Sequence, residues 1–288
     1  MWSARLRTVR PPASRFLLAL GRLVFPPHCS ICRRPAAEDE DRYLCRDCLA
    51  RIVFVTGPTC PRCGHVLGKH ADTDKRCVQC RNLPLRFDRA VSAAHHAGGA
   101  RQMVLALKFG RQQHQAFPLA KMMTARLEDT DILERVQAIV PVPLHRSRTR
   151  SRGFNQAGLL ARELGRLARV PVLKSALRRT RNTPPQTRAL SLAARRRNVK
   201  GAFAVRSARS VEGKTLLVVD DVMTTGATTS ECAATLKRAG AKRVFVATAT
   251  RRMTVPPRAD AAPGLRPYEI ESLRPPPDVA AGLPADRA

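Results

Sequence analysis

Two adjacent aspartates, Asp220 and Asp221, follow four aliphatic residues in "LLVVDDVMTTGAT", residues 216–228. Four aliphatics in a row read as a buried strand. The C-terminal end of such a strand is where open α/β sheets bind their ligands. Carboxylates at that place can accept hydrogen bonds from vicinal hydroxyls, as on a ribose. The residues that follow, Met223, Thr224, Thr225, Gly226, Ala227 and Thr228, are small or carry hydroxyls, and they open a helix. Backbone N–H groups and the helix dipole there favour a phosphate, and Gly226 lets the backbone approach it closely. Diol-binding acids beside a phosphate cradle describe a ribose 5-phosphate site. An ordinary strand-to-helix turn would bury paired acids at a cost with nothing to offset it. The glycine patterns of dinucleotide and P-loop sites are missing, so neither reading has support.

A second constellation is made of cysteines. Cys29 and Cys32, Cys45 and Cys48, Cys60 and Cys63, and Cys77 and Cys80 are four C-x-x-C pairs. Twelve residues separate the first two pairs and thirteen the last two. A C-x-x-C turn aims two thiolates at one point, and two turns complete a tetrahedron around Zn²⁺. The near-equal gaps predict two structural zinc sites with sequential pairing; interleaved pairing is the alternative. Four disulfides fit a cytoplasmic chain poorly, and a thioredoxin-like role needs one such pair on a βαβ unit. His28, His65 and His70 are bystanders in this reading, because eight thiolates fill two sites. Cys232, in the helix after the Thr-Gly loop, reads as a small core residue.

Anion-binding chemistry has further candidates. "VPVPLHRSRTRSRGFNQA" (140–157) leaves a strand into a loop bearing Arg146, Arg148, Arg150 and Arg152. Guanidinium forks there can bind pyrophosphate; a solvated basic loop is the alternative. Lys108 is a further candidate anion contact, or a surface lysine. The chain as a whole carries +30 net charge, with 43 arginines and nine lysines. That balance permits a polyanion partner such as single-stranded DNA. Arg, Ala and Pro also share GC-rich codons, so part of the excess can be compositional. Aromatics are only 4% of the chain, so any nucleic-acid contact should rest on phosphates more than on stacking.

These residues need elements to hold them. Residues 137–143, 214–220 and 243–250 read as strands, and 155–168 and 227–240 as helices, the second closed by Gly240. Strands alternating with helices predict an α/β fold, a mostly parallel sheet with helices on both faces. Ahead of it, residues 28–82 hold eight of the nine cysteines and little aliphatic material, which predicts a small zinc-ribbon domain. Residues 1–27 read as a basic segment with an amphipathic helix. Arg22 interrupts its apolar run and no small-residue cleavage site follows, so a signal peptide is not expected. Residues 87–253 are the α/β domain. Residues 254–288 carry eight prolines and read as a disordered tail. No stretch is long and apolar enough to span a membrane, and the expected location is the cytoplasm.

The stretch at 216–228 resembles, at all thirteen positions, the phosphoribosyl pyrophosphate (PRPP) signature of type I phosphoribosyltransferases. With "FPPHCSIC", the tandem C-x-x-C pairs, "LKFG", "VPVPLHRSRTRSRGFNQA", "NTPPQT" and "RRRNVKGAF", the chain resembles the ComF family of competence proteins from about Phe25 to Arg251. Where the family usually reads "LKYG" or "FKYGG", this chain has Lys108-Phe109-Gly110-Arg111. The resemblance implies a double zinc ribbon followed by a type I phosphoribosyltransferase-like domain. It implies that Asp220 and Asp221 hold the ribose 2′- and 3′-hydroxyls of PRPP, with Mg²⁺, and that Met223 to Thr228 hold the 5′-phosphate. Residues 179–203 look like the hood that type I enzymes close over the reacting ribose. It further implies a role in DNA uptake during natural transformation, possible contacts with other DNA-uptake proteins, and either pentosyl transfer to an unidentified acceptor or non-catalytic sensing of PRPP or a nucleotide.

Overall fold

In the computed structural model the described residues are 28–35, 43–68, 77–182 and 192–252. The helix expected within 1–27, His70, "NTPPQT" and the tail at 254–288 lie outside them. The chain divides into two compact units, Met1–Leu49 and Ala50–Ala288, with the division inside a short helix, α1 (Arg46–Ala50).

The larger unit is built on four parallel strands in the order β1-β6-β5-β2. They are β1 (Arg89–His95), β2 (Ala138–Pro141), β5 (Thr215–Met223) and β6 (Arg243–Arg251). Every residue of β2 is buried, as are Thr215–Val219 of β5, which is the pattern of a sheet covered on both faces. Side chains alternate along a strand. Val140, Leu216, Val218, Val244 and Val246 share one core with Cys232, Ala233 and Leu236 of α8 (Ala227–Arg238). On the opposite face lie α3 (Ala116–Glu128) and α6 (Gln156–Ala168), packed on each other and on the sheet. The approach of α6 is close: a Cβ on Gly165 would meet Val172 Cγ2 at 2.5 Å and sit 3.6 Å from Ile139 Cδ1. The remaining helices are α2 (Gly98–Phe109), α4 (Ile132–Arg135), α5 (Arg146–Arg152) and α7 (Leu192–Val199).

Two regions differ from the sequence expectation. Residues 146–152 form a helix instead of a loop. The His145 ring accepts from the Ser147 amide as its N-cap, and Gly153, at φ +87°, ends it in the left-handed conformation that glycine adopts without strain. The hood region is also more structured than a polar loop. A two-stranded antiparallel ribbon, β3 (Leu177–Arg179) with β4 (Phe203–Val205), brackets it, and α7 lies between. Buried Val199, Ala202 and Phe203 anchor this segment, and these few apolar residues are easily lost among the surrounding arginines.

The third and fourth C-x-x-C pairs do not stand apart from the sheet. Cys60, Cys63 and Cys80 share the core of Leu85, Phe87, Ala90, Val218 and Met223. Residues 53–55 bond to the outer edge of β1, with Val55 N donating to Ala93 O and His95 N to Val53 O. The sequence divides the chain into a zinc-ribbon domain at 28–82 and an α/β domain at 87–253; the apolar run Leu83, Leu85, Phe87 just after Cys80 is what joins them.

Candidate functional site

Asp220 and Asp221 lie at the C-terminal end of β5, between Thr248 and Thr250 of β6 on one side and the exit of β2 on the other. Alternation sends them to opposite faces. Asp221 is buried, and Lys108 Nζ of α2 sits 2.9 Å from its Oδ1. His96 and Arg152 also feel its charge. Its second oxygen, Oδ2, is buried with no hydrogen-bond partner, an unsatisfied acceptor inside an otherwise paired cluster. Asp220 faces the other way, where Arg179 and Cys232 feel its charge, and its Oδ1 accepts from the Asp221 amide at 2.9 Å. Burial, and then the neighbouring Asp221, push the Asp220 carboxyl up to about 7, against the pull of Lys108.

The residues after the acids turn into α8 as the sequence implies. Gly226 is the N-cap at φ +74°. Thr225 Oγ1 accepts from the Ala227 amide at 3.4 Å, and Thr229 Oγ1 donates to Gly226 O at 3.1 Å. First-turn amides of a helix have no intrahelical acceptor, so Thr228 and Thr229 present donors at the strand tip. The loop is held from behind. A Cβ on Gly226 would lie 3.4 Å from Met223 Cε and Phe87 Cε1. Arg251, buried at the end of β6, reaches the Met223 sulfur at 3.4 Å and donates to Cys63 O.

The four arginines of α5 do not act as one comb. At helical spacing Arg148 and Arg152 share a face. Arg152 is drawn towards Asp221, donates to Gln156 Oε1 at 2.6 Å and lies 5.2 Å from the Phe109 ring centroid. Burial lowers its pKa. Arg148 acts on Arg152 and Arg179 by charge. Arg146 instead lines a cavity beside the β3–β4 ribbon, and Arg150 is exposed. Lys108, a candidate anion contact in the sequence, stands as the ion-pair partner of Asp221.

His96 and Thr250 were missed in the sequence. His96 Nδ1 lies 2.9 Å from Thr250 Oγ1, which donates to Asp221 O at 3.3 Å. Burial, then the charge of Lys108, lower His96 to about 4, so it is neutral near pH 7. Nothing in "AHHAGG" marks it; only the parallel pairing of β1 with β6 brings it here.

The eight ribbon cysteines gather into two sets, Cys29/Cys32/Cys45/Cys48 and Cys60/Cys63/Cys77/Cys80, each with all sulfurs within 4.8 Å of one another. This is the sequential pairing. Tetrahedral Zn–S bonds of about 2.3 Å put sulfurs about 3.8 Å apart. The observed Cys32–Cys45, Cys60–Cys80, Cys63–Cys77 and Cys77–Cys80 separations are 3.7, 3.7, 3.6 and 3.8 Å. The donor sets therefore fit Zn²⁺, and neither His28 nor His65 belongs to either set. Cys232 is fully buried in the core, as expected.

Residues 20–81 match the double zinc ribbon domain family, and residues 150–263 match the phosphoribosyl transferase domain family. DNA utilization protein YhgH of Escherichia coli O157:H7 is 34% identical over 227 residues, 78% of this chain and 96% of that protein. The chain belongs to the ComF family. Competence protein F of Haemophilus influenzae is 32% identical to this ComF-family chain over 207 residues, 70% of the chain and 88% of that protein. Among solved structures, glutamine PRPP amidotransferase from B. subtilis aligns over 50% of this chain and 28% of its own, at 20% identity and a TM-score of 0.33. No described helix of this ComF-family chain is long and apolar enough to cross a membrane.

Proposed function

We propose that this chain binds PRPP with Mg²⁺ at the tip of β5 and acts, in the cytoplasm, in the uptake or use of DNA. The observation that carries the reading is the pair of acids on opposite faces of one strand end, directly ahead of a helix N-terminus. A ribose lying across that tip meets Asp220 from one side and Asp221 from the other, and its 5′-phosphate falls on Met223–Thr228. The unsatisfied Asp221 Oδ2 supports a ligand there. Mg²⁺ would supply charge compensation for the pyrophosphate. Asp220 and Asp221 are the residues to hold the ion, directly or through water. Lys108 compensates the Asp221 carboxylate and is carried forward as a candidate pyrophosphate contact. Arg152, which feels the charge of Asp221, and Arg148, which acts on Arg152, are the first candidates to stabilise departing pyrophosphate; Arg146 lines the neighbouring cavity and Arg150 is exposed.

Two outcomes of PRPP binding are open to such a site. In one, an acceptor attacks C1′ and pyrophosphate leaves, making the chain a phosphoribosyltransferase. In the other, PRPP or a nucleotide is a signal that changes affinity for single-stranded DNA. The second is favoured by the +30 charge and by exposed arginines such as Arg150, Arg178 and Arg206, the first by the completeness of the acid pair. The names of the relatives support a DNA role for either. Calorimetric titration of PRPP with Mg²⁺ tests the site: binding to the wild type and its loss in Asp220→Asn/Asp221→Asn is expected, and equal affinity in both overturns it. Pyrophosphate release across a panel of nucleobases then separates enzyme from sensor. Fluorescence anisotropy with single-stranded DNA should show affinity falling steeply with salt.

A further inference from the structure

A cavity of about 420 Å³ opens between the exit of β2 and the β3–β4 ribbon. Its lining residues include the apolar Pro143, Leu144 and Leu177 and the four arginines Arg146, Arg178, Arg179 and Arg206. No acidic residue lines it, and among the described residues no ion pair engages Arg146, Arg178 or Arg206. The volume is that of a small-molecule site.

The place of the cavity ties it to the acids. Val142 N donates to Val219 O, so Pro143 leaves the sheet at the level of Asp220. Arg179 lines the cavity and feels the charge of Asp220. The rim is fixed by backbone: Arg178 pairs with Ala204 across the ribbon, and Arg206 N donates to Ala176 O. His145 adds a donor, because its Nδ1 accepts from the Ser147 amide and the ring proton then sits on Nε2.

We propose that this cavity is the acceptor subsite, and that its ligand is a flat ring bearing an anionic head, a carboxylate or a phosphate. The proposal rests on the donor-site reading above and adds the class of acceptor to it. A ring packs on Pro143, Leu144 and Leu177, and the anionic head meets the guanidinium forks, which hold carboxylate and phosphate alike. A neutral base would offer no counter-charge to Arg146, Arg178 and Arg206, which no ion pair among the described residues engages. A cationic acceptor is excluded by the same charge. A single strand of nucleic acid needs an open basic groove with aromatic platforms; this cavity is concave, and its aromatic neighbour, Phe203, is covered by Arg179 at 5.3 Å.

The test is calorimetry on the full chain with pyridine-3-carboxylate and phenyl phosphate as anionic probes. Pyridine-3-carboxamide and phenol are their neutral counterparts, and each is titrated with and without saturating PRPP and Mg²⁺. Binding of either anionic probe, with its neutral counterpart weaker by tenfold or more, is expected. Arg178→Ala and Arg206→Ala should each weaken the anionic probe about tenfold and leave PRPP affinity unchanged; both side chains are exposed, so folding is not at stake. Failure of both anionic probes while PRPP binds overturns the proposal. So does equal binding of the neutral rings, or indifference to both substitutions. If PRPP fails to bind but the anionic probes bind through Arg178 and Arg206, the donor reading falls and the anion subsite stands. Displacement of the probes by a short single-stranded oligonucleotide, lost in the same two variants, would reassign the cavity to nucleic acid and overturn the small-molecule assignment.

Discussion

Cys29–Pro35 and Cys60–Val66 fold into the same turn on different foundations. In both, the first cysteine's amide donates to a carbonyl five residues on, Arg34 O and His65 O, each at 2.8 Å. In both, the residue after the second cysteine is left-handed: Arg33 at φ +64° and Gly64 at φ +69°. The difference is what lies behind. Arg33 is exposed, and the nearby Arg34–Asp47 pair is exposed too. At Gly64 a Cβ would stand 2.3 Å from Ala90 O of β1, and the Cys63 sulfur is 3.8 Å from the buried guanidinium of Arg251. One site completes a small unit of its own. The other is a corner of the phosphoribosyltransferase-like domain, two contacts away from the loop assigned to the 5′-phosphate. Equal ligand spacing does not imply equal dependence on the metal.

The largest effect should come from the cysteines themselves. Cys63→Ser should cost the larger unit its cooperative melt and its PRPP affinity, because structural zinc contributes on the order of 10 kcal/mol to folding and here shares a core with the sheet. Cys32→Ser should lower the zinc content from two ions to one and leave PRPP binding intact. Elemental analysis, circular dichroism melts and calorimetry on both variants check this; equal damage from the two would break the distinction.

The matched turns give a finer test. Gly64→Ala should destabilise by roughly 3–5 kcal/mol, from left-handed strain and a forced shift against Ala90 O. Arg33→Gly should stabilise its own unit by about 1 kcal/mol, the strain relieved. Denaturant titration reads both. The arginines beside the two sites come next. Arg251→Met should lower stability by about 3 kcal/mol, through lost hydrogen bonds to a buried carbonyl, and weaken PRPP through Met223. Arg34→Ala should leave the melt unchanged.

A graded effect concerns pH. The folded pKa of Asp220, about 7, is raised above its usual value. The folded chain therefore holds this proton more tightly than the unfolded chain. Its contribution to stability is present below about pH 4 and is lost as pH rises through 7. Contact with Mg²⁺ and ribose hydroxyls needs the carboxylate, so this group should weaken PRPP affinity about tenfold per unit below pH 7. Calorimetry across pH 5.5–8.5 should give the same profile in the wild type and in Cys32→Ser; a profile moved by Cys32→Ser would join the two regions that are separated above.

Much of this was legible in the residues. The strand-acid-acid-loop stretch announces its geometry, and the C-x-x-C spacing announces two Cys₄ sets. The arginine run was legible as charge but not as shape, since the cap at His145 and the stop at Gly153 make a helix that splits the four side chains between faces. The roles of Lys108, His96 and Arg251 were not legible. Each depends on which strands lie side by side, and β1 meets β6 from more than 150 positions away in the chain. The merging of the second ribbon with the sheet hangs on Leu83, Leu85 and Phe87, which read equally well as the start of the next domain.

Hydrogen exchange of the full, zinc-loaded chain with and without PRPP and Mg²⁺ tests the donor site most directly. The account predicts slowed exchange at the amides of residues 224–229 and around Asp220 and Asp221, with residues 29–35 and 43–49 unchanged. Unaltered exchange at 224–229 under saturating PRPP, or protection confined to other segments, would contradict it.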